Sequence, residues 1–241
     1  MCGRYELHTH PAALALAFGV PAPPEWLARY NIAPTQQVPI VRENGAGERE
    51  LVEMRWGLVP RWAKDPSIGA KMINARVETV AVKPAFETAY RRHRCLLPAT
   101  GFYEWKAVKG GKQPVYIGMK SGEPLGLAGL YERWLGPDGR ILDTCTILTT
   151  PANELLRAVH IRMPLIIAPI DYARWLDRAN DDVADLLVPY PAQPMTWYPI
   201  SPRVNAVRND DPSLLDRVPE GEAPAITDEN AERVPEQTRL L

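Results

Sequence analysis

Apolar and polar residues alternate with a period of two along much of this chain, and turn-forming residues punctuate the alternation at intervals that suit short strands. Residues 2–8 read as a first short strand. Residues 11–18, rich in Ala and Leu behind a proline, predict a short helix that Gly19 ends. Residues 21–24 form a turn, 25–29 one further helical turn, and 30–36 an extended or looped segment, since Ala33 precedes a proline. Strands follow at 38–42 and 50–56 around Glu43-Asn44-Gly45-Ala46-Gly47, a hairpin signal. The pattern breaks over 56–63, where Gly57, Pro60, Trp56 and Trp62 suggest a rigid loop presenting an aromatic ring. A helix at 84–90 runs into Arg91-Arg92-His93-Arg94, a cluster suited to a solvated helix end or to a phosphate. Residues 99–106 read as a strand, and Gly110-Gly111 as a hairpin turn. Strands are expected at 115–119, 125–134, 141–149 and 196–200, with short helices at 153–159, 171–176 and 181–187 and a loop at 201–205.

Composition narrows this picture. With 241 residues, 46% of them hydrophobic and 24% charged, the chain suits one sizeable soluble domain, and 25 prolines argue against long helices. Arg4, Glu6, His8 and His10 occupy the first positions, where a secretory leader needs an apolar run. No stretch approaches the ~18 consecutive apolar residues of a membrane span, so no membrane partner is expected. The three cysteines, Cys2, Cys95 and Cys145, are odd in number and lack metal-knuckle spacing. Neither a disulfide framework nor a metal site is expected, and a cytoplasmic location follows. No nucleotide or flavin signature is present, so no cofactor is expected. Net charge is −1, but it is unevenly spread: nine acidic residues and three arginines lie from Asn209 onward, leaving 25 basic and 20 acidic residues before it. A basic patch on the body is therefore allowed. Residues 1–218 read as one domain, and 219–241 as an acidic, Pro/Glu-rich, disordered tail.

Three stretches carry candidate chemistry. If Met1 is trimmed, Cys2 becomes the N-terminus and holds an α-amine and a thiol separated only by Cα and Cβ. Such an amine ordinarily titrates at about 7.7–8.0 and such a thiol at about 8.5, so both have a reactive fraction near neutral pH. An amine condenses with an aldehyde to an imine, and a neighbouring thiolate can close on that carbon to a five-membered thiazolidine. Glu104 sits among aromatic residues, with Phe102 and Lys106 on its own strand face and Tyr103 and Trp105 on the other. Apolar surroundings disfavour its charged form and suit it to proton transfer; a salt bridge to Lys106 is the plainer reading. His160 stands at a helix-to-strand corner two residues before Arg162.

The segments MCGRY, RYNIAPTQ, WGLVPRWA, INARVET, RCLLPATGFYEW, AGLYERW, ILTTPAN and HIRMPLII fall in the order and spacing of the SRAP family, named for SOS response-associated peptidases, which the chain resembles from Cys2 to about Asp211. That resemblance implies an α+β fold, a single compact domain built on an antiparallel barrel-like β-sheet with short surrounding helices. It implies a monomer that binds single-stranded DNA and crosslinks covalently to abasic sites, associating with the nucleoid when bound. Carried over residue by residue, Cys2 would be the nucleophile and Asn74 would hold the Cys2 backbone and the sugar. Glu104 would shuttle protons, and His160 would assist opening of the sugar ring. Arg4, Arg76 and Arg162 would contact phosphates, and Trp62 and Trp105 would be the aromatic DNA contacts. Two positions depart from the family pattern: Ile161 follows the histidine where an acidic or amide residue is frequent, and Thr100 replaces a carboxylate. The alternatives are an N-terminal-nucleophile cysteine peptidase built on the same residues, and a non-covalent reader of single-stranded or modified DNA that does not need Cys2.

Overall fold

The computed structural model describes residues 2–23 and 27–219. Thirteen strands and three α-helices alternate with short 3-10 turns over these residues. In chain order the strands are β1 (Tyr5–Leu7), β2 (Arg29–Ile32), β3 (Gln37–Glu43), β4 (Arg49–Trp56), β5 (Asn74–Arg76), β6 (Arg94–Ala99), β7 (Gly101–Val108), β8 (Gly111–Met119), β9 (Leu125–Leu135), β10 (Ile141–Pro151), β11 (Arg162–Pro164), β12 (Ile166–Ile167) and β13 (Met195–Pro199). The helices are α1 (Pro11–Phe18), α2 (Glu87–Arg92) and α3 (Tyr172–Leu176). Gly19 ends α1 in the left-handed conformation, with φ 64°.

The strands form two sheets. Strands β10, β4, β3, β6 and β9 close into a five-stranded barrel, because β9 also pairs with β10. The second sheet runs β13-β8-β7-β1-β2 and is antiparallel throughout. Only Thr100 separates β6 in the barrel from β7 in the second sheet. One large core of Leu, Ile, Val and aromatic side chains fills the space between them. A smaller apolar cluster under residues 200–215, built on Tyr103, Val204 and Leu214, covers the outer face of the second sheet.

The barrel departs from a purely antiparallel one. Its closing pair, β4 with β10, is parallel, with Thr144 opposite Arg55 and Cys145 opposite Trp56. Farther along the same edge of β10, β5 is also parallel, with Ile147 opposite Asn74 and Thr149 opposite Arg76. Strands β4 and β5 thus form one interrupted line, and residues 57–73 loop out between them and return. The crossover that parallel neighbours need is here the whole of residues 57–140 between β4 and β10, and the excursion is its first part, joining two strands that follow one another along one edge of β10.

Gly57 makes the exit from β4. Its φ is +130°, and a Cβ there would stand 2.6 Å from the Gly69 carbonyl oxygen; a Cβ on Gly69 would stand 2.5 Å from the Gly57 carbonyl oxygen. The two ends of the excursion therefore cross backbone to backbone, at a separation that only glycine allows. Trp134 of β9 packs against Val59 and Ala63 of the loop, and its indole N–H donates to the Ala63 carbonyl at 2.7 Å.

Several expectations shift. The helix expected at 84–90 is Glu87–Arg92, because Pro84 biases its neighbour away from helical geometry and the chain first makes a turn. The basic cluster behind it is not a uniformly solvated end. Arg94 is 2% exposed and donates to the carbonyls of Tyr90, Arg91, Trp175, Asp177 and Asn180, satisfying the C-terminal ends of α2 and α3 together. The stretches 153–159 and 181–187 form only the 3-10 turns Leu156–Ala158 and Ala184–Leu186, and the 201–205 loop contains the turn Pro202–Asn205. The helical turn expected at 25–29 begins in residues outside those described, and Arg29 opens β2 instead. The Lys106 ammonium lies 4.7 Å from the centre of the Trp197 ring on β13. The tail expectation from Glu220 onward lies outside the described residues.

Gly57→Ala adds a side chain at strained backbone and against a carbonyl. It is expected to destabilise the fold by about 2–4 kcal/mol, read as a lower urea midpoint with an unchanged slope.

Candidate active site

The head of the chain is held in the middle of a sheet. Strand β1 lies between β2 and β7, with Tyr5 opposite both Ile32 and Phe102. The Tyr103 N–H extends the ladder by donating to the Arg4 carbonyl at 3.0 Å. Tyr5 packs edge-on against Trp56 with ring centres 5.4 Å apart, which fixes β1 against the end of β4. Cys2, just ahead of this strand, is fully buried. Burial pushes its thiol well above the ordinary value and the Glu104 carboxylate pushes the same way, while the Arg4 backbone N–H acts in the opposite sense. Residue type alone predicts a thiol with a reactive fraction near neutral pH. In this environment it is held protonated, because a thiolate there would be both desolvated and beside a second anion.

Asn74 opens β5, and its position follows from the β10 register and from the Trp56 indole N–H, which donates to the Ile73 carbonyl at 2.8 Å. From there Asn74 Nδ2 donates to the Cys2 carbonyl at 2.8 Å. Its Oδ1 is buried and has no hydrogen-bond partner among the described residues. A buried amide oxygen in that state costs free energy until a donor reaches it, so the Cys2–Asn74 contact leaves an acceptor ready for an incoming hydroxyl or amine.

Glu104 lies on β7 opposite Val115 and is 3% exposed. Burial raises its pKa above the ordinary 4.5, and the nearby His160 pulls in the opposite direction. A carboxyl so placed exchanges a proton closer to neutrality than a surface glutamate does. His160 follows the 3-10 turn Leu156–Ala158, and its N–H donates to the Leu156 carbonyl at 2.9 Å. Its Nδ1 meets the Arg162 backbone, 3.0 Å from the N–H and 3.1 Å from the carbonyl oxygen. Backbone therefore orients this imidazole. The side chain of Ile161 points away and is 78% exposed, so the departure at that position leaves the orientation intact. Thr100, the other departure, accepts the His8 and Thr9 N–H groups at 3.1 Å each and so caps the end of β1.

The expected DNA contacts divide into two groups. Arg76 is exposed, and Trp62 is 60% exposed on the 57–73 excursion. Arg4 and Trp105 are engaged within the protein. Arg4 donates to Asn31 Oδ1 and to the Val204 carbonyl, both at 2.7 Å, and its guanidinium lies 6.0 Å from the Trp105 ring centre. Trp105 in turn donates to Asn205 Oδ1 at 2.8 Å. Arg162 meets Glu78 and the Thr149 carbonyl. Glu78 and Trp56 are the two contributors that the sequence did not single out for the site; both stand inside recognised segments, but their partners are distant in the chain. Among the described residues, no group of three or more His, Cys, Asp or Glu side chains could hold a metal ion.

Comparison with known proteins places this geometry. Residues 1–207 match the family model described as SOS response associated peptidase (SRAP). Abasic site processing protein YoqW of Bacillus subtilis is 41% identical over 223 residues, covering 90% of this chain and 99% of its own. Abasic site processing protein YedK of Escherichia coli is 31% identical over 90% of this chain and all of its own length, and HMCES of Gallus gallus is 33% identical over 89% of this chain and 77% of its own. A crystal structure of a Bacteroides thetaiotaomicron protein superposes with a TM-score of 0.81 at 26% identity, covering 90% of this chain and 100% of that one. A family match over most of the chain, relatives aligned almost end to end and a shared fold agree: this chain is a member of the SRAP family.

Proposed function

We propose that the protein processes abasic sites in single-stranded DNA by forming a covalent thiazolidine between Cys2, freed of Met1, and the opened deoxyribose. The observation that carries this reading is the junction of Cys2, Asn74 and Glu104: the Cys2 carbonyl is held at 2.8 Å by an amide whose other end still wants a donor, beside a buried carboxyl of raised pKa. Relatives bearing the name abasic site processing protein align along 90% of the chain and support the same substrate.

The chemistry follows from the protonation states. An abasic sugar is mostly a closed hemiacetal, and His160 assists its opening to the aldehyde. The Cys2 α-amine adds to C1′ and water leaves, with Glu104 delivering the proton that expels it. The resulting iminium carries a positive charge next to the thiol. That charge offsets the desolvation and the Glu104 repulsion that keep the sulfur protonated. Sulfur then adds to C1′ and its proton passes to Glu104, leaving a neutral ring. The balance is protein plus DNA minus one water. Asn74 Oδ1 accepts from the sugar or from the amine while Nδ2 fixes the Cys2 carbonyl. Exposed Trp62 offers a stacking face for a neighbouring base, typically worth ~1–3 kcal/mol and indifferent to sequence, and Arg76 offers a phosphate contact.

Intact-protein mass spectrometry after mixing with an oligonucleotide carrying one abasic site is expected to give a heat-stable species at protein plus oligonucleotide minus water. Cys2→Ser retains the amine, so its adduct is expected only after borohydride trapping. An equally heat-stable Cys2→Ser adduct would overturn the thiazolidine.

The pH profile tests Glu104. Its carboxyl must hold the proton that expels water before it takes one back from the thiol, and its pKa is raised, so the crosslinking rate is expected to fall as pH rises through a pKa above the ordinary 4.5. Glu104→Gln is expected to abolish that alkaline limb and to slow crosslinking by about 10²-fold or more, measured by quenched gel time courses.

A further inference from the structure

Arg162, in the phosphate-clamp role that the family resemblance implies, already holds an anion. Both terminal nitrogens of its guanidinium meet the Glu78 carboxylate in a fork-to-fork pair, Nη2 to Oε2 at 3.0 Å and Nη1 to Oε1 in a shorter contact. Nη2 also donates to the Thr149 carbonyl at 2.6 Å, and Nε is buried. The Arg162 side chain is only 13% exposed, whereas that of Glu78 is 45% exposed. The guanidinium is thus fixed from behind by β10, and the face it turns outward is covered by a carboxylate with open space beyond it. Arg76 stands on β5, opposite Thr149. The Arg162 hydrogen bond lowers the pKa of Glu78, and the charge of Arg76 adds to the effect. Glu78 is therefore a fully ionised group between two arginines, the setting that a backbone phosphate would take.

We propose that Glu78 is a resident stand-in for a DNA phosphate, which neutralises Arg162 in the free protein and must be displaced before a strand is gripped there. The inference rests on the reading that this chain binds single-stranded DNA. Carboxylate and phosphate both suit bidentate guanidinium recognition, so exchanging one for the other gains little. Any strand, damaged or intact, then binds more weakly than the arginines alone would allow. Only a strand that also reacts at Cys2 is retained. Glu78 in this way makes retention depend on the covalent bond and so sharpens selection for damaged DNA.

The test uses undamaged DNA, so that Cys2 chemistry does not enter. Binding of a fluorescein-labelled oligothymidylate is measured by anisotropy at several salt concentrations for the full-length protein. Glu78→Gln is expected to tighten binding roughly three- to tenfold and to steepen the plot of log K against log salt by about 0.7, the increment for one further phosphate contact on a single strand. The gain should vanish in the double variant Glu78→Gln/Arg162→Ala. Should Glu78→Gln not fold, Glu78→Asp keeps the charge and shortens its reach, and a smaller gain of the same sign is expected. Unchanged or weaker binding by a folded variant would overturn the proposal and make Glu78 a positioning residue that aims Arg162 at the strand. If the wild-type protein binds no single strand at all, the functional reading falls as well, and the two failures are thereby told apart.

Discussion

A thiol and a carboxyl group are buried close together where the chain begins; burial makes both harder to ionise, and the carboxylate adds to the effect on the thiol. Much of the surrounding architecture serves to hold that unfavourable neighbourhood in place. The carboxyl comes from β7 in the second sheet, the amide that grips Cys2 comes from β5 on the barrel, and Trp56 bridges the two by packing on Tyr5 and bonding the Ile73 carbonyl. Folding free energy from a large apolar core is used here to keep polar groups in states they would not choose in water. The benefit is chemical poise. A sulfur that stays protonated is protected from oxidation and adventitious metals, and a carboxyl of raised pKa gives up and takes back a proton more readily than a surface glutamate.

The parallel seam between β4 and β10 matters for the same reason. Two successive strands, β4 and β5, share one edge of β10, and between them residues 57–73 leave the sheet and present Trp62 outward before β5 rejoins it with Asn74 at its start. Two glycines in backbone contact tie off the neck of this loop, so its tip is set on a rigid base.

Local signals in the sequence are good guides to strands and poor guides to partners. The hairpin around residues 43–47, the 11–18 helix and its Gly19 stop, and the long strands β9 and β10 follow from periodicity and turn chemistry, which are short-range properties. Short helices are over-read because their ends are decided by tertiary contacts, as at Leu156–Ala158. Arg94 looks like part of a solvated basic run, since nothing nearby in the chain announces carbonyls from Trp175, Asp177 and Asn180. The same blindness hides Glu78, which lies 84 positions from the arginine it meets. Cys2, Asn74 and Glu104 are legible as chemistry, through residue type and family resemblance. That Asn74 touches Cys2 is a matter of strand register, and the raised pKa of Glu104 is a matter of depth in the core.

Weaving the first residues into the interior of a sheet also imposes an order of events in time. Strand β1 cannot be completed until β7 has been made, some hundred residues later, and once it is complete Cys2 has no exposed surface. On the proposed chemistry, the Cys2 amine is released most readily while the nascent terminus is still unpaired, and the long-range pairing of β1 holds that interval open.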